Sequence, residues 1–209
     1  MACENVIKTS DPKAVNKTAE ILKNGGVIVY PTDTLYGLGA LVSKEKSVQR
    51  IFEIKGRNKN MSLPVLARDF EMLEDYALVP VKYEEMLQKF MPGAFMAILK
   101  LKKDLNPIIT GGKDTIGIRI SSNSFVKMLM EKLDVPLIST SANLSGMGNI
   151  YKVSELIDVF SNKVDLVIDS GSISPSKGST IVDLTSEPPK ILREGDISKA
   201  ELSHYLNTI

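Results

Sequence analysis

The fold class the sequence predicts is α+β with α/β-type layers, a mixed β-sheet with helices packed on it. Strand-like and helix-like segments interleave without strict βαβ alternation, and two pairs of strands follow each other directly, which disfavours a Rossmann alternation. The 209 residues suffice for one sizeable core, and with neither an internal repeat nor a long linker they are expected to form one domain, 1–209. A composition of 43% hydrophobic and 24% charged residues is that of an ordinary globular protein.

The elements follow in order. Asp11-Pro12 opens a helix with a capping residue and a first-turn proline; Ala14, Val15, Ala19 and Leu22 form its apolar stripe and Gly25-Gly26 ends it. The strand Val27–Tyr30 stops at Pro31, which cannot donate to a sheet ladder, and opens into the loop PTDTLYGLGA. Ser43 is a candidate cap for a helix burying Val48, Ile51 and Phe52, and a polar loop leads from Lys55-Gly56-Arg57 to a strand over Leu63–Ala67. Helices are expected at Asp69–Tyr76 and Val81–Phe90, then strands at Ala94–Leu101 and Thr115–Ile120, separated by a loop with Pro107 and Gly111-Gly112. Asn123 caps a helix over Ser124–Leu133, and Pro136 introduces a strand at Leu137–Ser139. A Ser/Gly-rich loop, a helix at Val153–Phe160, strands at Leu166–Asp169, Thr180–Leu184 and Ile191–Arg193, and a helix at Ser198–Leu206 complete the chain.

Charge and residue usage exclude several functions. A net charge of +1 gives no overall pull toward nucleic acid or membrane. No apolar run approaches the ~20 residues of a membrane span, and the N-terminus lacks the apolar core of a secretory signal. The single cysteine, Cys3, forms no intrachain disulfide, which fits a reducing cytoplasm. With His204 the only histidine, a Ser-His-Asp or Cys-His centre has to be built around it, and a His/Cys zinc site is excluded; no metal ligands are expected. Neither GxxxxGK[ST] nor GxGxxG is present, so a nucleotide needs another cradle.

Thr32, Asp33, Thr34 and Tyr36 stand at the carboxyl end of a strand, where open α/β sheets place ligands, with Gly37 and Gly39 free to take positive φ or let the backbone pass close. A polar turn fits this stretch equally well. In TIGIRI the isoleucines share one face, so Gly117 and Arg119 share the other, and an arginine among apolar strand residues has a partner. Lys55 and Arg57 taken alone read as solvated charges at a helix C-terminus. The hydroxyls and amide of Ser139–Ser145, and Ser179-Thr180, can bind phosphate, ribose or an amino acid, or simply cap turns.

Taken together, PTDTLYGLGA, KGR, TIGIRI, STSANLSG, STIVDL and ILREG occur in this order over Asn24–Leu206, and the sequence resembles the YrdC/TsaC family of threonylcarbamoyl-AMP synthases. The resemblance implies a single YrdC-like domain, a twisted mixed sheet flanked by helices with a concave basic face. It implies an enzyme, a nucleotidyltransferase that converts L-threonine, bicarbonate and ATP, carried with Mg²⁺, to threonylcarbamoyl-AMP and pyrophosphate for tRNA modification. By carry-over Lys55, Arg57, Ser141 and Asn143 are catalytic and, with Thr115 and Arg193, hold ATP. Thr32, Arg119, Ser139 and Ser179 hold threonine, Arg119 through its carboxylate. Transferase subunits of the TsaD, TsaB and TsaE type are the implied partners, and tRNA or structured RNA a possible one. Displacement of pyrophosphate by a carbamate concentrates negative charge on phosphates, which calls for Lys and Arg clamps and neutral donors more than for a strong base.

The chain also departs from the family pattern. Where the family continues with proline and then Lys-Pro-Leu, this chain has Asn58-Lys59-Asn60-Met61-Ser62-Leu63, so a phosphate-binding lysine is missing at Met61, with Lys59 as the nearest substitute. The chain ends one helix after ILREG, as the short family branch does, so closure is expected from Asn58–Ser62 or Ser172–Gly178. Two other readings stay open: an RNA-binding translation or ribosome-maturation factor, disfavoured by near-neutral charge and absent tryptophan, and a catalytically silent paralogue.

Overall fold

The structure, a computed structural model, describes residues 5–206, so Cys3 lies outside the described residues. The chain runs β1 (Val6–Lys8), α1 (Ala14–Lys23), β2 (Ile28–Tyr30), β3 (Gly37–Gly39) and α2 (Glu45–Lys55). It continues through β4 (Val65–Ala67), α3 (Phe70–Tyr76), β5 (Ala77–Leu78), a 3-10 turn at Val81–Tyr83, α4 (Glu84–Phe90), β6 (Phe95–Leu101) and α5 (Pro107–Thr110). The remainder is β7 (Thr115–Ile120), α6 (Ser124–Met130), β8 (Leu137–Ile138), β9 (Thr140–Ser141), α7 (Val153–Phe160), β10 (Leu166–Asp169), β11 (Thr180–Asp183), β12 (Lys190–Arg193) and α8 (Lys199–Leu206).

The mixed α/β fold is present, with its strands divided between two mixed sheets. One has the order β1-β10-β2-β3-β9; the other has β12-β11-β6-β7-β4-β8, with β5 paired to β6. In the first sheet two parallel pairs (β1 with β10, β10 with β2) are followed by two antiparallel ones, whereas in the second parallel pairs (β11 with β6, β4 with β7) alternate with antiparallel ones. The sheets meet where β8 and β9 are separated by Ser139 alone: β8 belongs to the second sheet and β9 to the first. The Ser139 N–H donates to the Pro64 carbonyl at 2.8 Å, the Ile138 N–H donates to the Ala40 carbonyl at 2.8 Å, and Leu41 bridges to Leu137. Buried side chains from both sheets and the helices, among them Leu22, Ile28, Phe52, Leu66, Phe95 and Phe160, form one contiguous core.

Several elements differ from expectation for local reasons. β3 reads as loop in the sequence because two of its three residues are glycines and show no alternation. α5 is a single turn, but its signals are present: Pro107 at the first position and Asn106 Oδ1 accepting from the Ile108 N–H at 3.0 Å. Asp11 accepts from the Lys13 N–H at 2.8 Å, so it organises a turn, and α1 starts only at Ala14. Ser43 caps nothing; Lys44 precedes α2 without a side-chain cap. Asn123 does cap α6, accepting from the Val126 N–H at 3.2 Å.

Candidate active site

A cavity of about 320 Å³ lies between the two sheets. Strand β7 supplies Thr115, Gly117 and Arg119, residues at two-residue steps that share one face, while Ile116, Ile118 and Ile120 are buried on the other. Met96 and Ile98 of β6, Ile181 of β11, and Leu192 and Arg193 of β12 extend that lining. Thr32, Thr34–Gly37 and Ser139–Ser141 contribute from the first sheet and the junction, and Arg57, Ser62, Pro64, Lys113, Gly178 and Ser179 complete it.

Arg119 is the most enclosed of the cavity's cations, only 4% exposed. Its Nη2 pairs with Asp33 Oδ1, and its Nη1 donates to Ser179 Oγ and, at 3.4 Å, to Thr34 Oγ1. Asp33 Oδ1 also accepts from Ser121 Oγ at 2.5 Å. The expected partner of this arginine is therefore Asp33, three residues past the end of β2. Arg119 Nε and Asp33 Oδ2 are buried without a hydrogen-bond partner, so the cluster retains unused donor and acceptor capacity. Thr32 Oγ1 is turned into its own loop: it donates to the Leu35 carbonyl at 2.6 Å and accepts from the Thr34 and Leu35 N–H groups at 3.2 Å. This stretch is a polar turn, and Thr32, Thr34 and Tyr36 in it also line the cavity.

Gly37 and Gly39 owe their place to close approach and not to positive φ. A Cβ on Gly39 would sit 2.7 Å from Cε1 of Tyr30 and 2.9 Å from the Ile138 carbonyl oxygen; one on Gly37 would sit 3.0 Å from the same ring. The Tyr30 ring is fully buried across β3, and its hydroxyl donates to the Ile138 carbonyl at 3.3 Å; burial raises its pKa above the ordinary phenol value.

Gly56 closes α2 in the left-handed conformation, with φ 59°. The chain reverses there, so Lys55 and Arg57 part company. Lys55 is buried and does not line the cavity: its Nζ donates to the Ser141 carbonyl at 2.5 Å, the Asn143 carbonyl at 2.8 Å and Asn143 Oδ1 at 3.1 Å. Burial, and secondarily the charge of Arg57, lower its pKa to about 8. Asn143 also lies outside the lining; its Oδ1 accepts from Ser141 Oγ at 2.7 Å and its Nδ2 donates to the Met147 carbonyl at 2.8 Å. Lys55 and Asn143 therefore hold Ser141 in place at the cavity wall. Arg57 does face the cavity, where Nη2 donates to the Ser62 carbonyl at 3.0 Å and Nε is buried without a partner. Burial lowers the Arg57 pKa. Arg193, grouped by the resemblance with the nucleotide end, lies against Ser179 instead, its Nε and Nη2 donating to that carbonyl at 3.0 and 2.7 Å. Burial and then Arg119 lower its pKa, with Asp196 acting in the opposite direction.

Eight of the ten residues singled out in the sequence line one cavity: Thr32, Arg57, Thr115, Arg119, Ser139, Ser141, Ser179 and Arg193. Asp33 was visible as a loop carboxylate but not as the buried partner of Arg119, 86 residues away. Lys113 was missed, although it continues the two-residue alternation of 115, 117 and 119 by one step. Among the described residues no group of three or more His, Cys, Asp or Glu side chains is arranged to hold a metal, and no helix is long and apolar enough to cross a membrane.

Comparison with known proteins places the fold in a family. The Sua5/YciO/YrdC family model, described as telomere recombination, matches residues 20–195. The threonylcarbamoyl-AMP synthase of Pyrococcus abyssi is 32% identical over 206 residues, 98% of this chain but 61% of that protein; the chain thus spans about three-fifths of this relative's length. The structure of P. abyssi Sua5 complexed with L-threonine superposes with a TM-score of 0.90 at 30% identity, covering 98% of this chain and 61% of that one. The crystal structure of Escherichia coli YciO gives a TM-score of 0.83 at 32% identity, covering 91% of this chain and 94% of that one. With the family model matching residues 20–195 and a relative 32% identical over 98% of this chain, the chain belongs to the Sua5/YciO/YrdC family.

Proposed function

We propose that the protein is an L-threonylcarbamoyladenylate synthase, a nucleotidyltransferase that joins L-threonine, bicarbonate and Mg²⁺-bound ATP and releases pyrophosphate. The observation that carries this reading is one cavity that holds a buried, partly unsatisfied arginine cluster at Arg119 and has a further cation, Arg57, in its lining. That a Sua5 relative is complexed with L-threonine supports placing the amino acid there. The carboxylate of threonine suits the two-pronged donor set of Arg119, with Ser139 and Ser179 beside it. The threonine nitrogen and bicarbonate, with loss of water, form a carbamate. One of its oxygens attacks the α-phosphorus, the bond to the β-phosphate breaks, and pyrophosphate leaves with the electron pair.

Arg57 and, on turning its proton from Asn143 Oδ1 to the nucleotide, the hydroxyl of Ser141 stabilise the charge on the phosphates, and Lys55 acts on the reaction by holding Ser141 through its carbonyl. Mg²⁺ arrives with the nucleotide and neutralises phosphate charge when bound. Catalysis by position and electrostatics suits a cavity that contains hydroxyls and guanidinium groups and no histidine. The product would serve N6-threonylcarbamoyladenosine formation in tRNA, in the cytoplasm, with transferase subunits of the TsaD, TsaB and TsaE type downstream. The test is pyrophosphate release that requires threonine, bicarbonate, ATP and Mg²⁺ together. Arg57→Ala should lower the rate about a hundredfold, as loss of one preorganised donor does. No pyrophosphate from the parent protein would exclude the synthase and leave the second reading, a family member without this activity. That reading is favoured by Met61, an uncharged residue in the loop after Arg57.

A further inference from the structure

We infer that Lys113 is the phosphate-binding cation at the end of the cavity away from Arg119, where it holds the pyrophosphate that leaves; the inference rests on the synthase reading above. Four residues of extended chain separate Thr115 from Arg119, about 13 Å. Lys113 lies beyond Thr115, so the two charges stand at opposite ends of the cavity. A turn, and not the strand, fixes this position. Gly111 and Gly112 adopt left-handed φ of 63° and 76°, and a Cβ on Gly111 would lie 2.6 Å from the Asn60 carbonyl oxygen. The Leu63 N–H donates to the Ile109 carbonyl at 2.7 Å. The turn before β7 is therefore packed on the Asn58–Ser62 loop, whose Ser62 carbonyl holds Arg57, and Arg57 and Lys113 both belong to the cavity lining.

The distribution of charge gives Lys113 its role. Arg119 is paired with Asp33, Arg193 is committed to the Ser179 carbonyl, and Lys55 lies behind the wall with three acceptors on its ammonium. Lys59 is exposed and outside the lining, and Met61 supplies no charge. Only Arg57 would then face the several negative charges of a triphosphate, were it not for Lys113. Its side chain has no hydrogen bond or ion pair among the described residues. As the bond between the α-phosphorus and the bridging oxygen breaks, charge grows on the departing pyrophosphate; the ammonium meets that charge without giving up a proton.

The experiment compares the parent with Lys113→Ala, Lys113→Arg and, as a control on an exposed lysine outside the cavity, Lys102→Ala. Lys113→Ala should raise KM for ATP and weaken inhibition by added pyrophosphate, each by roughly tenfold, as loss of a charge-assisted hydrogen bond does. KM for threonine should not move, Lys113→Arg should restore most of the effect, and Lys102→Ala should show none. In parallel, calorimetric binding of inorganic tripolyphosphate with Mg²⁺ reads the same end of the cavity without turnover. A parent that releases pyrophosphate, with unchanged ATP and pyrophosphate constants in Lys113→Ala, overturns this inference alone. A parent with no turnover overturns the synthase reading instead. Tripolyphosphate then decides on Lys113: a tenfold weaker affinity in the alanine variant upholds it, and equal affinity, or no binding by either protein, overturns it.

Discussion

At the scale of single residues, the site depends on two buried charges with opposite logic. Arg119 and Asp33 are 4% and 9% exposed at their side chains, so removing one leaves the other as an uncompensated charge. Asp33→Ala should therefore cost about 3 kcal/mol of stability, read from the urea midpoint. Saturating threonine should recover part of that loss, because its carboxylate can replace the missing one beside Arg119; a variant as stable as the parent would show the pair to be unimportant. Lys55 behaves differently. Its ammonium loses its proton near pH 8 in the folded protein but near the usual 10.5 in the unfolded chain. Between those values the unfolded chain binds more protons, so this group's contribution to stability rises with pH, by at most about 3 kcal/mol. Below about pH 8 both states are charged and the contribution is constant. The stability of the parent minus that of Lys55→Met should therefore increase from pH 8 to pH 10; a flat or falling difference contradicts the assignment.

At the scale of elements, two short pieces of backbone aim the site. Strand β3 passes under the Tyr30 ring with no room for a side chain at Gly39, where an added Cβ meets ring and backbone at once. Gly39→Ala should destabilise by about 2 kcal/mol through overpacking, measured by chemical denaturation. Gly56 is different in kind: nothing lies within 4 Å of a Cβ there, and only the left-handed φ resists substitution. Gly56→Ala should cost about 1 kcal/mol of stability. It should lower pyrophosphate release by more than that stability loss explains, because this turn sends Lys55 behind the wall and Arg57 into the cavity. Pyrophosphate release unchanged under native conditions would mean that the two side chains do not depend on the turn. The signals for longer elements were plain in the sequence. Thr115–Ile120 and Val153–Phe160 coincide with β7 and α7, since a full alternation or an apolar helical stripe is written in their own residues. β1, β3 and β5 are two or three residues long and exist because a neighbour supplies their hydrogen bonds; such strands leave no periodic trace.

At the scale of the whole molecule, the cavity belongs to neither sheet alone. It forms where β8 passes into β9 through Ser139, so a ligand in it touches both sheets and should tie them together. Threonine with a non-hydrolysable ATP analogue, each at about a hundred times its dissociation constant, should stabilise the fold by more than either alone, each contributing about 2.7 kcal/mol when bound independently. A thermal midpoint unmoved by both would place the ligands elsewhere. The sequence by itself determined the order of motifs, the α/β class and most of the polar and basic groups of the cavity, because those properties reside in residue type and local spacing. Only the tertiary structure decided that the strands split into two sheets, that Asp33 neutralises Arg119, that Lys55 lies outside the cavity lining and that Lys113 forms part of it. Each of those outcomes depends on which distant backbone lies alongside, as when a turn at Gly111 packs on the Asn60 carbonyl, and no residue encodes its partner across such a distance.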